Sequence, residues 1–317
     1  MLDLALVLVF SLHLLAVDLA MAGPLVAVWL EWRGARRPEP DAAPIARRLA
    51  GWSLAAGIVG IGLGLLALAV LPGGEAEPYR RALQAVSPAR WWYVAEELLF
   101  YVLFLVAYVG AWRWFQSGPA GRAIHRGLGI IAATDLMYHF PPMFAVLSTI
   151  STRPALWGES LGNRPLYWKL LLEGETFSRV VHHWLAAVAV SATVGLLLAA
   201  KQPQRRPWFA RIALGATVAQ LPVGVWVLLS MPPLMQQQLM GQDLLATILF
   251  GTSLIAALGL MHHLALISLR DTSRGAVART AALMLLTVFI MASVLHRARN
   301  EALRQLPTAR ARPSRWR

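Results

Sequence analysis

The 317-residue chain contains no cysteine. That excludes disulfide cross-links, thiolate-held iron–sulfur clusters and covalent haem attachment through Cys-x-x-Cys-His. Charge is scarce as well: Asp, Glu, Lys and Arg make up 14% of the residues, against about 25% in soluble domains. Acidic residues are the rarer sign, 16 against 29 basic, and the formal net charge is +13. What the chain has in quantity is apolar: 57% hydrophobic residues and a mean hydropathy of +0.56. Runs long enough to cross roughly 30 Å of hydrocarbon recur along it with short separations. The expectation is an all-α, polytopic transmembrane helix bundle of about eight spans. It forms one domain over 1–296, with a basic tail over 297–317, and its basic excess is suited to membrane lipids, with no nucleic acid expected.

The expected spans follow from these runs. Span 1 covers Leu2 to Leu30; its Ala20-Met21-Ala22 resembles a signal-peptidase site, but the run lacks a basic leader, holds His13 and Asp18, and continues, so it reads as a retained helix. Span 2 (Ala50 to Leu71) carries Gly57, Gly60 and Gly64, which permit close helix approach. Span 3 (Trp91 to Trp114) opens on an aromatic anchor, Trp91-Trp92-Tyr93, with Glu96 and Glu97 just inside. Span 4 runs from His125 to Ile150 and is expected to bend at Pro141-Pro142. A linker from Ser151 to Phe177 lies along the interface. Span 5 (Ser178 to Ala200) carries His182 and His183, and span 6 (Trp208 to Ser230) is expected to break at Gln220 and Pro222. After a turn from Met231 to Gln242 come span 7 (Asp243 to Leu269), with His262 and His263, and span 8 (Ala276 to His296).

The linkers after spans 1, 3, 5 and 7 are richer in Arg and Lys than the others. The positive-inside rule then places those linkers in the cytoplasm and both termini outside. The tail (Arg297, Arg299, Arg304, Arg310, Arg312, Arg315, Arg317) becomes a basic outer surface for an acidic partner or anionic headgroups.

Histidine inside a span is costly unless paired or ligating, so each one marks a candidate site. On an ideal helix His125, Asp135 and His139 fall within an arc of about 80°. The two histidines are about 21 Å apart along the axis, offering imidazoles at two depths. Asp135, one turn before His139, is placed to accept a ring N–H and fix that imidazole. In this topology His13, His139, His182 and His183 lie in the outer half, and His125, His262 and His263 near the inner surface. His296 reads as an interfacial residue. Neutral imidazole is a common axial haem ligand. Asp18 is a carboxylate deep in a span, a candidate for proton transfer beside Glu96 and Glu97.

The segment Arg179-Val180-Val181-His182-His183, leading into AAVAVSATVG, resembles the fifth-helix histidine segment of subunit I of cytochrome bd quinol oxidases. His13 on span 1, Glu96 and Glu97 on span 3, and the His125 segment running into AATDL resemble its first, third and fourth helices. The resemblance covers roughly the first 200 residues. It implies that His13 and His182 hold haem iron, with Met240 as counterpart of the family's seventh-helix methionine. The family's long outer loop between helices six and seven is replaced here by the Met231–Gln242 turn.

The expected function is therefore a membrane b-type cytochrome of the bacterial inner membrane. It would transfer electrons between the quinone pool and an outer redox subunit, a periplasmic c-type cytochrome, as part of a respiratory complex. Two haems b are expected. The outer one lies among His13, His139, His182 and His183, with Met240, and the inner one uses His125 with His262 or His263. Alternatives are a bd-type oxygen-reducing quinol oxidase subunit and a proton-coupled secondary transporter, which would use the same buried carboxylates and Pro-broken helices. A cofactor-free scaffold leaves the histidines unexplained.

Overall fold

The computed structural model describes residues 4–36, 42–70, 77–113, 118–157, 159, 164–269 and 272–305. Arg37, Leu71, Trp114 and the tail arginines Arg310, Arg312, Arg315 and Arg317 lie outside the described residues, as does Leu2. Among the described residues the structure is helical throughout. In chain order the helices are α1 (Leu4–Arg36), α2 (Ala42–Val70), α3 (Glu77–Gln84), α4 (Pro88–Gly110), α5 (Gly118–Ser151), α6 (Arg164–Leu172), α7 (Gly174–Leu198), α8 (Arg206–Ser230), α9 (Pro233–Gln237), α10 (Leu244–Leu269) and α11 (Arg274–Gln305). Eight of them (α1, α2, α4, α5, α7, α8, α10, α11) are long and apolar enough to cross a membrane.

Local sequence sets where several begin. Ser87 caps α4, its Oγ accepting from the Arg90 N–H at 3.3 Å, and Pro88 supplies the first turn, where no N–H is needed. Asp243 caps α10 through Oδ1 and the Ala246 N–H at 2.7 Å, and Ser273 caps α11 through the Ala276 N–H at 3.1 Å.

The helices outrun the expected spans. At 33 residues α1 is about 50 Å long, well beyond the hydrocarbon. α11 likewise continues past His296 to Gln305, so the first part of the tail is helical rather than a separate extension. Its continuation is supported by Glu301, which pairs with Arg297 at 3.1 Å and Arg304 at 3.0 Å on one face. The expected break in span 6 does not occur: α8 runs unbroken through Gln220 and Pro222, and α5 through Pro141 and Pro142. A proline removes one ladder bond, and packed neighbours re-satisfy the freed carbonyl within a bundle. The Met231–Gln242 connection is the short α9 followed by a wide turn at Gln238–Gln242, where Gly241 takes φ +118°.

α1 and α7 are central. α1 packs on α2, α7 and α5; α7 packs on α8; α10 lies against α11 and α8; α4 lies against α5. The buried interior is rich in alanine, including Ala22, Ala27, Ala46, Ala132, Ala187, Ala192 and Ala213, around a few large side chains such as Tyr101, Tyr108 and Phe209, while Leu65, Leu103, Leu229 and Ile255 face outward. This is the distribution of a membrane bundle, in which lipid solvates the leucines and close backbone approach holds the helices together.

Candidate functional site

Three groups of titratable side chains lie inside the bundle. The first joins α1, α2 and α7. The His13 Nδ1 lies 2.8 Å from the Gly60 carbonyl. A carbonyl only accepts, so Nδ1 carries the proton and Nε2 presents its lone pair. The ring lies against Gly64, where an added Cβ would be 2.9 Å from the imidazole Cε1, and a Cβ at Gly60 would be 3.0 Å from Val17. The glycines of span 2 thus do more than pack: they make the clearance for an imidazole.

Across from it on α7, His183 Nε2 faces the buried Asp18 Oδ1 at 3.4 Å, and His13 and His182 are its imidazole neighbours. Asp18 Oδ1 and His182 Nδ1 are both buried without a hydrogen bond. Ser191 Oγ donates to the Asp18 carbonyl at 3.2 Å and ties α7 to α1 at this level. Of the expected outer set, the structure therefore brings together His13, His182 and His183, with the proton-transfer candidate Asp18 beside them.

His139 belongs to a second group, between α4 and α5. Its Nδ1 lies 3.0 Å from Asp135 Oδ1 and 3.4 Å from Glu97 Oε2. Asp135 thus orients this imidazole as its spacing predicts. Of the adjacent glutamates, Glu97 turns toward the cluster and Glu96 is exposed. The link between the two groups is Trp184, beside His183, whose indole N–H donates to the Met137 carbonyl at 3.1 Å.

His125 requires a correction. It is fully buried, with Nε2 2.8 Å from the Tyr108 carbonyl and Nδ1 3.0 Å from Glu31 Oε2. Tyr108 stacks on it at 4.5 Å, Trp112 meets it edge-on at 4.7 Å, and the Tyr108 hydroxyl donates to the other Glu31 oxygen. Both ring nitrogens are bonded to protein, so His125 is a structural residue at the α1–α4–α5 junction and offers iron no lone pair. Glu31 and Tyr108 were not expected. The readable signal was a carboxylate, Glu31, directly after the apolar run of span 1.

Met240 also differs from expectation. It lies in the wide turn before α10, 61% exposed, and that turn packs on α9, α10 and α11 rather than on α7, which carries His182. The reason is Gly241, whose positive φ turns the chain and leaves the preceding side chain outside. His262 and His263 sit on α10 with rings 5.6 Å apart; His262 is exposed, and the buried His263 Nδ1 has no hydrogen bond. The structure places His125 against α1 and α4, so it does not bring that residue together with the α10 pair.

No protein-family model and no curated protein matches the sequence. In structure, the chain is similar to the bd oxidase from Geobacillus thermodenitrificans, with a TM-score of 0.65 at 14% identity over 94% of this chain and 85% of that one. The likeness establishes a bd-oxidase-like helical fold for nearly the whole chain. It gives no support to the expected c-type cytochrome partner.

Proposed function

We propose that this chain is a haem b-binding subunit of a quinol oxidase-like complex of the bd type, in the bacterial inner membrane. The observation that carries the reading is His13: one ring nitrogen is committed to the Gly60 carbonyl and the other is left as a lone pair in a glycine-made space. A hydrogen bond on the far nitrogen is the usual way a protein fixes the tautomer of a ligating histidine. The orphaned His182 Nδ1 across the same site is the second donor. The donor set fits haem iron, with His13 and His182 as its holders, and the bd-oxidase-like fold supports the same assignment. His263 is the remaining candidate for a second haem, since His125 is excluded by its own hydrogen bonds.

His13 and His182 would hold the haem, which when bound would supply one-electron redox chemistry for quinol oxidation. The chain's own residues would manage protons and position. Asp18, buried and without a hydrogen bond on Oδ1, faces His183 and is placed to receive a proton released as quinol is oxidised. Ser191 holds the Asp18 backbone, and Gly60 and Gly64 hold and clear the His13 ring. Basic linkers after alternate spans favour termini on the periplasmic side.

The test is a reduced-minus-oxidised spectrum with pyridine haemochrome quantification on the purified full-length chain. A b-type signal is expected, diminished in His13→Ala and in His182→Ala and retained in His125→Gln. Absence of haem from material expressed with haem available would overturn the reading. Oxygen uptake with reduced quinol is expected of the assembled complex; full haem content without uptake would refute the oxidase and leave a cytochrome.

A further inference from the structure

Glu97, Asp135 and His139 are not needed to hold haem at His13 and His182, and their arrangement has its own chemistry. One ligand atom from each lies within 4.8 Å of the other two. His139 Nδ1 is 3.0 Å from Asp135 and 3.4 Å from Glu97. The Asp135 side chain is 7% exposed, and its second oxygen, Oδ2, is buried with no hydrogen bond. The Glu97 side chain is 16% exposed and that of His139 is 26% exposed, so the group sits just inside the α4–α5 surface with a way in. Tyr93 stands edge-on to the His139 ring at 6.1 Å and Tyr138 at 4.9 Å, walling that opening.

Two carboxylates side by side within a span repel each other and lack solvent to screen the repulsion. His139 and the Tyr93 hydroxyl hydrogen-bond this pair, and with both carboxylates ionised Asp135 Oδ2 still has no donor. A divalent cation that displaces the His139 Nδ1 proton would neutralise both carboxylates and take the nitrogen lone pair so freed. Two oxygens and one nitrogen form a donor set suited to first-row ions such as zinc, manganese or ferrous iron, with open positions for water. From the α4–α5 hairpin, the structure assigns a second metal centre to this protein: a non-haem divalent cation held by Glu97, Asp135 and His139. It lies next to the haem-binding group without sharing a ligand with it, since Trp184 on α7 bonds the Met137 carbonyl two residues before His139.

The inference does not rest on haem, and its test reads metal directly. Full-length protein in detergent is stripped with chelator, dialysed against a small excess of zinc, and its metal measured by mass spectrometry, with X-ray absorption on the bound zinc. The expected result is a single zinc per chain in a shell of one nitrogen and otherwise oxygen. Asp135→Asn and Glu97→Gln should each weaken it by about tenfold or more, while His182→Ala leaves it unchanged. Zinc bound as tightly by both carboxylate variants, or a shell of several nitrogens in the unaltered protein, would overturn the assignment. So would no zinc above background, which would leave the group as a carboxyl pair sharing a proton beside His139.

Discussion

The imidazole of His13 fills the space a methyl group at Gly64 would need, 2.9 Å from the ring carbon Cε1. Glycine is therefore required there by a side chain of another helix rather than by backbone conformation. Gly64→Ala is expected to displace the His13 ring and lower haem occupancy, read by pyridine haemochrome per chain. Gly62, on the same helix with nothing within 4 Å of an added Cβ, is the control. Gly62→Ala should leave haem unchanged and favour the helix by up to about 1 kcal/mol.

His125 predicts a separation of stability from cofactor. His125→Ala would leave the Glu31 carboxylate with only the Tyr108 hydroxyl and open a hole between Tyr108 and Trp112. A loss of about 2–5 kcal/mol is expected from the buried, partly orphaned acid. Thermal unfolding in detergent measures it, with the haem spectrum of the folded fraction unchanged.

At the end of the bundle, Asp243 joins α10 to α11: it accepts from Arg297 at 2.7 and 3.0 Å while capping α10. The Arg297 hydrogen bond holds its carboxyl below the usual carboxylate range. A lowered folded value means the pair's contribution is complete above the unfolded value, about 3.9, and is lost as pH falls through the lower folded one. Unfolding midpoints against pH should therefore drop on the acid side in the wild type and drop less in Asp243→Asn, which keeps the cap. Asp243→Ala should cost about 1 kcal/mol more, from the lost cap.

Glu175 is buried between two guanidinium groups, Arg153 at 2.7 Å and Arg179 at 2.9 Å. Removing Glu175 takes away the anion that Arg179 is paired with among the described residues and leaves that cation largely buried on α7. Glu175→Ala should destabilise by about 3–5 kcal/mol. Glu173→Ala should cost far less, because it meets Arg153 at 2.6 Å with both side chains about a third exposed. Comparing the two variants by thermal unfolding checks the difference.

The eight spans were legible because uninterrupted apolar runs report membrane thickness directly, and Asp135 with His139 because a four-residue spacing reports one helix face. Neighbouring residues defeated the reading: nothing in the order Glu96-Glu97 or His182-His183 says which turns inward, since that depends on the rotation of a whole helix. Contacts between distant segments were equally hidden. Asp18 meets His183, and Glu31 meets His125, through packing that no local pattern encodes. His125 misled because an imidazole in a span needs a partner, and a carboxylate and a carbonyl serve as well as iron. The short helices α3 and α6 lack the length that makes a span visible.

Arg206 is 3% exposed, and its guanidinium is bonded by Nε to the Ala199 carbonyl at 3.3 Å, by one Nη to the Ala200 carbonyl at 2.5 Å and by the other to the Thr272 carbonyl. The first two carbonyls close α7, and the third belongs to the connection between α10 and α11. Two connections, joined by a bond between residues 66 apart in the chain, thus share one rivet at the same membrane face. Any breathing of the bundle that parts them must strip a cation of its acceptors. The α4–α5 hairpin has a tie of its own to α11, Arg299 donating to Ser151 Oγ at 2.6 Å, so parting the bundle there strips a second cation of an acceptor.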